Sequence, residues 1–157
     1  MARSSMSHVD VTVSRTIARP RDVVAAFMSD PANDTRWIAG LREARVLDAG
    51  EEAAPIAVGT QVLRTASFLG RRMEYLYEVD AFDEHQLAMR AVKAPFPMQT
   101  TYRWEADGES TVASIDNSGD VRGAFALMRP LLVRSLRRNV GRDLERLRGI
   151  LEAEPPA

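Results

Sequence analysis

The chain has 157 residues, of which 45% are hydrophobic and 27% charged, with a formal net charge of -1. That is the size of one ordinary globular domain, able to bury roughly 68–70% of its unfolded surface without metal or disulfide staples. The absence of cysteine excludes disulfides, thiolate catalysis and zinc–thiolate sites, and the balanced charge gives no bulk reason to expect nucleic acid or an anionic surface as partner.

One domain is expected over residues 1–157, with 1–7 and 154–157 frayed. Met1–Asp10 is polar and carries no apolar run that could act as a signal segment. No stretch approaches the roughly 18 apolar residues that span a bilayer, so a soluble cytoplasmic protein is expected. The alternation in Val9-Asp10-Val11-Thr12-Val13 predicts a half-buried strand running toward Ile17. Arg15 falls on its apolar parity, which calls for either a bulge or an end open to solvent. Pro20 suits the first turn of a helix, with Asp22 near its positive end and Val23, Val24 and Phe27 on its buried side. Asp30-Pro31 then caps a second, short helix. Trp37, just after it, is expected to plug one end of the core.

From Leu41 to about Asp116 the pattern is a succession of strands. Leu41–Leu47 is followed by a loop through Pro55, and Val58–Phe68 leads over Gly70 into Met73–Phe82. Gln86–Lys93 ends at Pro95-Phe96-Pro97. Gln99–Ala106 turns at Asp107-Gly108 into Ser110–Asn117. Short turns make these strands antiparallel neighbours. The last third changes period: Leu132, Leu136, Val140, Leu144, Leu147 and Leu151 recur every three or four residues, with arginines on the opposite face. This is a long amphipathic helix with Pro130 at its first turn or at a kink. Leu127, Met128 and Leu131 fall out of phase with its stripe, so Gly123–Arg129 is expected to form a separate turn or a bend. The arginine face reads as solvated, because Asp143, Glu145 and Glu152 interleave with it.

The order and spacing of several short features resemble the polyketide cyclase/dehydrase and lipid-transport branch of the START-like (SRPBCC) superfamily along nearly the whole chain. These are Ile17-Ala18-Arg19-Pro20, Val23-Val24 with Phe27, Asp30 and Trp37, and Val58-Gly59-Thr60. They continue with Gly70-Arg71-Arg72, Tyr75 and Val79, Gly108…Thr111, and Leu144-Glu145-Arg146-Leu147…Leu151-Glu152. The resemblance implies an α+β helix-grip (START-like/Bet v 1-like) fold: a curved antiparallel sheet of six to seven strands wrapped on a long C-terminal helix. It also implies a cavity between the two. It does not imply a reaction, because one fold hosts many functions.

Strand parity then names candidate cavity walls: Met73, Tyr75 and Tyr77; Leu87 and Met89; Thr100, Tyr102 and Trp104. Phe125, Met128, Arg129, Leu132 and Leu136 are the corresponding candidates on the helix side. Tyr and Trp each offer a broad apolar surface with one polar handle, and Met is deformable. Cores use the same residue types, so each side chain is equally readable as core filler. Arg129 either greets a ligand oxyanion or is turned to water by Pro130, and Arg64 lies on a strand without clean parity. The Pro95-Phe96-Pro97 and Phe68-Leu69-Gly70 loops suit a pocket mouth. His8 and His85 lie at a strand start and in a turn, no catalytic triad or metal spacing can be built, and no phosphate loop is present. Tyr, Arg and Asp116 are what remain for chemistry.

The expected function is therefore binding of a small apolar or aromatic ligand, lipid, polyketide or quinone-like, by a monomer or homodimer. No cofactor, no nucleic acid and no integral membrane contact are expected. The competing readings are a polyketide cyclase, aromatase or dehydrase that orients its substrate with Tyr and Arg, and a protein-interaction module.

Overall fold

The computed structural model describes residues 6–47, 56–68, 70–94 and 97–154. The loop through Pro55, Leu69, the Pro95-Phe96 part of the proline loop, and the ends 1–5 and 155–157 lie outside the described residues.

Strand β1 (Met6–Ile17) is the predicted alternation made real: Val9, Val11, Val13 and Ile17 are buried, while Asp10, Thr12, Ser14 and Thr16 are exposed. Helix α1 (Arg21–Met28) follows Pro20 and buries Val24, Phe27 and Met28; a one-turn 3-10 helix (Pro31–Asn33) and α2 (Asp34–Trp37) come next. Asp30 caps the 3-10 turn through its Oδ1, which accepts from the Ala32 N–H at 3.0 Å. Six strands then run as a meander, β2 (Leu41–Val46), β3 (Gln61–Phe68), β4 (Arg71–Phe82), β5 (Gln86–Lys93), β6 (Met98–Asp107) and β7 (Ser110–Arg122). All neighbours are antiparallel in the order β1-β7-β6-β5-β4-β3-β2. Helices α3 (Ala124–Leu127) and α4 (Arg129–Ala153) close the chain, with Pro130 in the first turn of α4. This is the helix-grip arrangement, with seven strands curved around one long helix.

Several boundaries differ from the sequence expectation. β3 starts at Gln61 rather than Val58, because Gly59 takes φ 92° in a turn. β7 runs on past Asn117 to Arg122, since β1 supplies a partner for every residue of the extension, Met6 opposite Arg122. Met6 and Ser7, expected to fray, pair with Arg122 and Val121 in the same ladder. Glu154 is likewise held, its carbonyl accepting from Arg19 Nη1 at 2.8 Å.

Arg15 sits in an unbroken register, so no bulge carries it outward. Its side chain crosses Gly141, where a Cβ would meet Arg15 Nη2 at 3.1 Å, and its Nε donates to Glu145 at 2.8 Å. The bare helix surface at Gly141 thus makes room for a snorkelling arginine.

The two halves of α4 are held differently. The C-terminal half buries Val140, Leu144, Leu147 and Leu151. It is also tied from outside: Asp143 accepts from the Ala39 N–H at 3.0 Å and Glu152 from the Ala18 N–H at 2.9 Å. The N-terminal half offers only half-buried Leu132, Val133 and Leu136. Function has to be sought under that looser half.

Candidate functional site

The inner face of the sheet carries rows of facing residues. Val13, Ile115, Tyr102 and Leu87 form one row; Val11, Asn117, Thr100 and Met89 form the next; Val9, Gly119 and Met98 form a third. The first two rows are buried core. The third opens into a cavity of about 80 Å³, closed on the helix side by Leu132 and Leu136 and lined also by Val121, Asn117 and Ser118. The backbone of Pro97 comes so close that a Cβ on Gly119 would collide with its carbonyl oxygen. Asn117 is the amide in this otherwise apolar wall. Its Oδ1 accepts from Thr100 Oγ1 at 2.7 Å, so the NH₂ group is the part of the amide that remains as a donor.

A second feature lies deeper, a buried polar cluster. Arg64 on β3 and Asp34 at the start of α2 form an ion pair, with Nη2 at 2.8 Å and Nε at 3.2 Å from Asp34 Oδ2. Arg64 Nη2 also donates to the Tyr102 hydroxyl at 3.2 Å, and its guanidinium carbon lies 5.1 Å from the centre of the Tyr77 ring. Trp37 meets Tyr102 edge-on, with ring centres 5.6 Å apart. The Trp37 indole N–H is buried and has no acceptor among the described residues. Buried donors are nearly always paired, so this orphan marks a place where a water or a ligand oxygen belongs.

The electrostatics follow from depth. Burial works against the Arg64 charge, but Tyr102, Asp34 and Tyr77 outweigh it and hold the guanidinium protonated above its ordinary range. Burial pushes the Tyr102 phenol up to about 12, with Arg64 pulling the other way. Tyr77 is raised for the same reason. Burial also raises Asp34, against the pull of Arg64. At neutral pH the cluster is thus one compensated ion pair with two neutral phenols beside it. It presents dipoles and hydrogen-bond donors rather than net charge.

The expected wall residues are distributed over both features and beyond them. Tyr77 and Tyr102 flank Arg64. Leu87 and Met89 are buried in the core, and Thr100 holds Asn117. Met73 and Tyr75 are half-buried, the Tyr75 hydroxyl donating to Met73 Sδ at 3.6 Å. Trp104 is buried, but its indole N–H is satisfied by the Glu84 carbonyl at 2.7 Å. Leu132 and Leu136 close the cavity. Phe125 and Met128 are close to half exposed. Arg129 is exposed and its Nε donates to the His8 carbonyl at 2.8 Å, so it ties α4 to the start of β1. Asp116 lies on the outer face of the sheet, accepting from Thr12 Oγ1 at 2.6 Å, which removes it from any chemistry inside.

Asp34, Val9, Met98, Asn117, Gly119 and Val121 were not among the sequence candidates. Val62, Arg64 and Ala66 share a strand parity, which was the available signal that Arg64 faces inward. Among the described residues no three His, Cys, Asp or Glu side chains gather as metal ligands. No helix there is long and apolar enough to cross a membrane.

With this geometry in place, comparison with known proteins is informative. A family model described as "Polyketide cyclase / dehydrase and lipid transport" matches residues 8–152. Among solved structures, a protein from Thermus thermophilus is similar at TM-score 0.76 and 20% identity, covering 94% of this chain and 100% of that one. The Zhui aromatase/cyclase from a Streptomyces species is similar at TM-score 0.72 and 21% identity, covering 94% of each chain. A START superfamily protein from Mycobacterium smegmatis gives 0.65 at 15% identity, covering 93% of this chain and 95% of that one. At such identities the likeness establishes the fold. No curated protein sequence matches the chain.

Proposed function

This chain belongs to the polyketide cyclase/dehydrase and lipid transport family, and we propose that it binds a small apolar or aromatic molecule bearing a neutral oxygen, and releases it unchanged. The observation that carries this reading is the buried cluster of Asp34, Arg64 and Tyr102 beside the unpaired Trp37 N–H. A ligand carbonyl or hydroxyl there satisfies an orphan donor. A ligand carboxylate would add a negative charge to a site where Asp34 already neutralises Arg64, and burying it is costly.

The cavity as it stands, about 80 Å³, is well below the roughly 300–1,000 Å³ typical of ligand pockets. Occupancy therefore requires the loosely held N-terminal half of α4 to move away from Val9 and Val121, so that the apolar space extends past the Thr100–Asn117 row to the adjoining row that carries Tyr102. Such movement costs little where few apolar contacts are lost.

Cyclisation or dehydration of a polyketide is the second reading, favoured by the same Arg64–Tyr102 pair, which can orient a carbonyl and stabilise an enolate. A phenol raised to about 12 is a poor proton donor at neutral pH, so positioning rather than proton transfer is what the pair supplies. The discriminating experiment incubates the protein with aromatic polyketides, quinones and fatty acids, measures affinity by calorimetry, and analyses the recovered ligand by mass spectrometry. Binding with unchanged ligand, weakened roughly tenfold by Tyr102→Phe as one hydrogen bond is lost, supports the carrier reading. Recovery of a cyclised or dehydrated product replaces it with the enzymatic one. A protein that binds none of the panel contradicts both.

A further inference from the structure

The run from Val121 to Arg142 differs from the rest of the chain. In a protein of net charge -1 it holds six arginines, Arg122, Arg129, Arg134, Arg137, Arg138 and Arg142, and no acidic residue. Asp143, Glu145 and Glu152, which interleave with the arginines of α4, all come later. Among the described residues Arg134, Arg137, Arg138 and Arg142 have no salt-bridge partner, whereas Arg15, Arg64, Arg90 and Arg148 do.

The same run holds a concentration of exposed large apolar side chains. Leu127 is 83% exposed, Leu131 65%, Met128 49% and Phe125 46%. At 100° per residue Leu131 points directly away from the buried stripe of Val140, Leu144 and Leu147, into the sector of α4 that carries Arg134, Arg138 and Arg142. Scattered exposed apolar residues are ordinary, but a contiguous group framed by cations is not.

We infer that α3 and the first turns of α4 dock on the surface of an anionic lipid bilayer, with Leu127 and Leu131 entering the headgroup–acyl boundary and the arginines pairing with lipid phosphates. Two properties favour a lipid surface over other occupants. The apolar side chains stand out together from one short segment, residues 125–131, which suits insertion into a fluid interface. Charge complementarity is provided by a cationic segment without acids, the pattern of interfacial amphipathic elements. The position matters for use: Leu132 and Leu136, which close the cavity, alternate along the helix with the residues that face the lipid. Docking thus holds the loose half of α4 at the surface where an apolar ligand enters or leaves. Docking itself does not depend on the ligand reading and is tested without ligand.

The test is co-sedimentation of the full chain with vesicles of phosphatidylcholine alone or in equal parts with phosphatidylglycerol. The proposal expects binding to the anionic vesicles only, falling as salt is raised. Leu127→Glu combined with Leu131→Glu should weaken it roughly tenfold or more at an unchanged melting temperature, because both side chains are already in water. Arg134→Gln with Arg138→Gln should flatten the salt dependence. Absence of binding at low salt overturns the proposal, as does binding that both variants leave intact. A dimer that Leu127→Glu/Leu131→Glu dissociates, and that does not sediment with vesicles, assigns the face to a second copy and overturns it as well.

Discussion

The Asp34–Arg64 pair offers the sharpest quantitative test of how the interior is held. Its partners are 1% and 10% exposed in their side chains, so deleting either leaves the other charge stranded at a cost of about 3–5 kcal/mol. For a chain of this length each kcal/mol lowers Tm by about 2–4 °C. Asp34→Leu and Arg64→Met should therefore each melt roughly 10 °C lower. Replacing both, Asp34→Leu with Arg64→Met, removes the desolvation cost together with the attraction and should lie within about 2 kcal/mol of the parent. The coupling in the double-mutant cycle should then be at least about 4 kcal/mol, above the usual range for contacting residues. The single variants are also distinguishable by pH. In Arg64→Met, burial and the nearby Asp30 charge act unopposed on Asp34, whose carboxyl is already raised. The folded state then holds a proton that the unfolded chain releases, so stability present in acid is lost as pH rises out of the ordinary carboxylate range, by up to about 1.4 kcal/mol per pH unit. Urea titrations at acid and neutral pH measure both effects. Additive single costs, or an Arg64→Met variant indifferent to pH, would refute the buried-pair reasoning.

Three further outcomes are expected. Because Tyr102 is raised from 10.0 to about 12 in the folded state, stability is fully present below pH 10 and should fall by roughly 2–3 kcal/mol by pH 12; ultraviolet titration of tyrosinate with and without Tyr102→Phe checks it. Gly119→Ala should cost about 1–3 kcal/mol, since its methyl group would collide with the Pro97 carbonyl, readable as a lower denaturation midpoint. Amide exchange should be faster over residues 131–139 than over 140–151, following the contrast in burial along α4; equal protection would argue against a movable N-terminal half.

How legible these features were depended on whether local pattern and tertiary environment agreed. β1 was plain, because Val9, Val11 and Val13 face one side and Asp10, Thr12 and Ser14 the other. So was the stripe of α4, and the misfit of Leu127, Met128 and Leu131 correctly announced the break at Met128. β7 was cut short because Ser118-Gly119-Asp120 has turn-like composition, and only the long partner β1 keeps it extended. Arg64 was ambiguous because it puts a charge between Val62 and Ala66 on the apolar parity of β3 while Leu63 falls on the polar one, so the alternation is not clean. Asp34 was invisible to periodicity: it opens a four-residue helix, and its role exists only through a strand 30 residues away. The cavity wall at Val9, Gly119 and Val121 depends on where α4 diverges from the sheet, a property of packing rather than of any one element.

The central claim is that the space under the N-terminal half of α4 holds a neutral, oxygen-bearing apolar molecule. Native mass spectrometry of the freshly purified protein, followed by organic extraction and identification of the passenger, tests it most directly. A stoichiometric apolar molecule with a carbonyl or hydroxyl group is expected, diminished in Tyr102→Phe. A protein that carries nothing and gains no thermal stability from lipids, quinones or aromatic polyketides would contradict it.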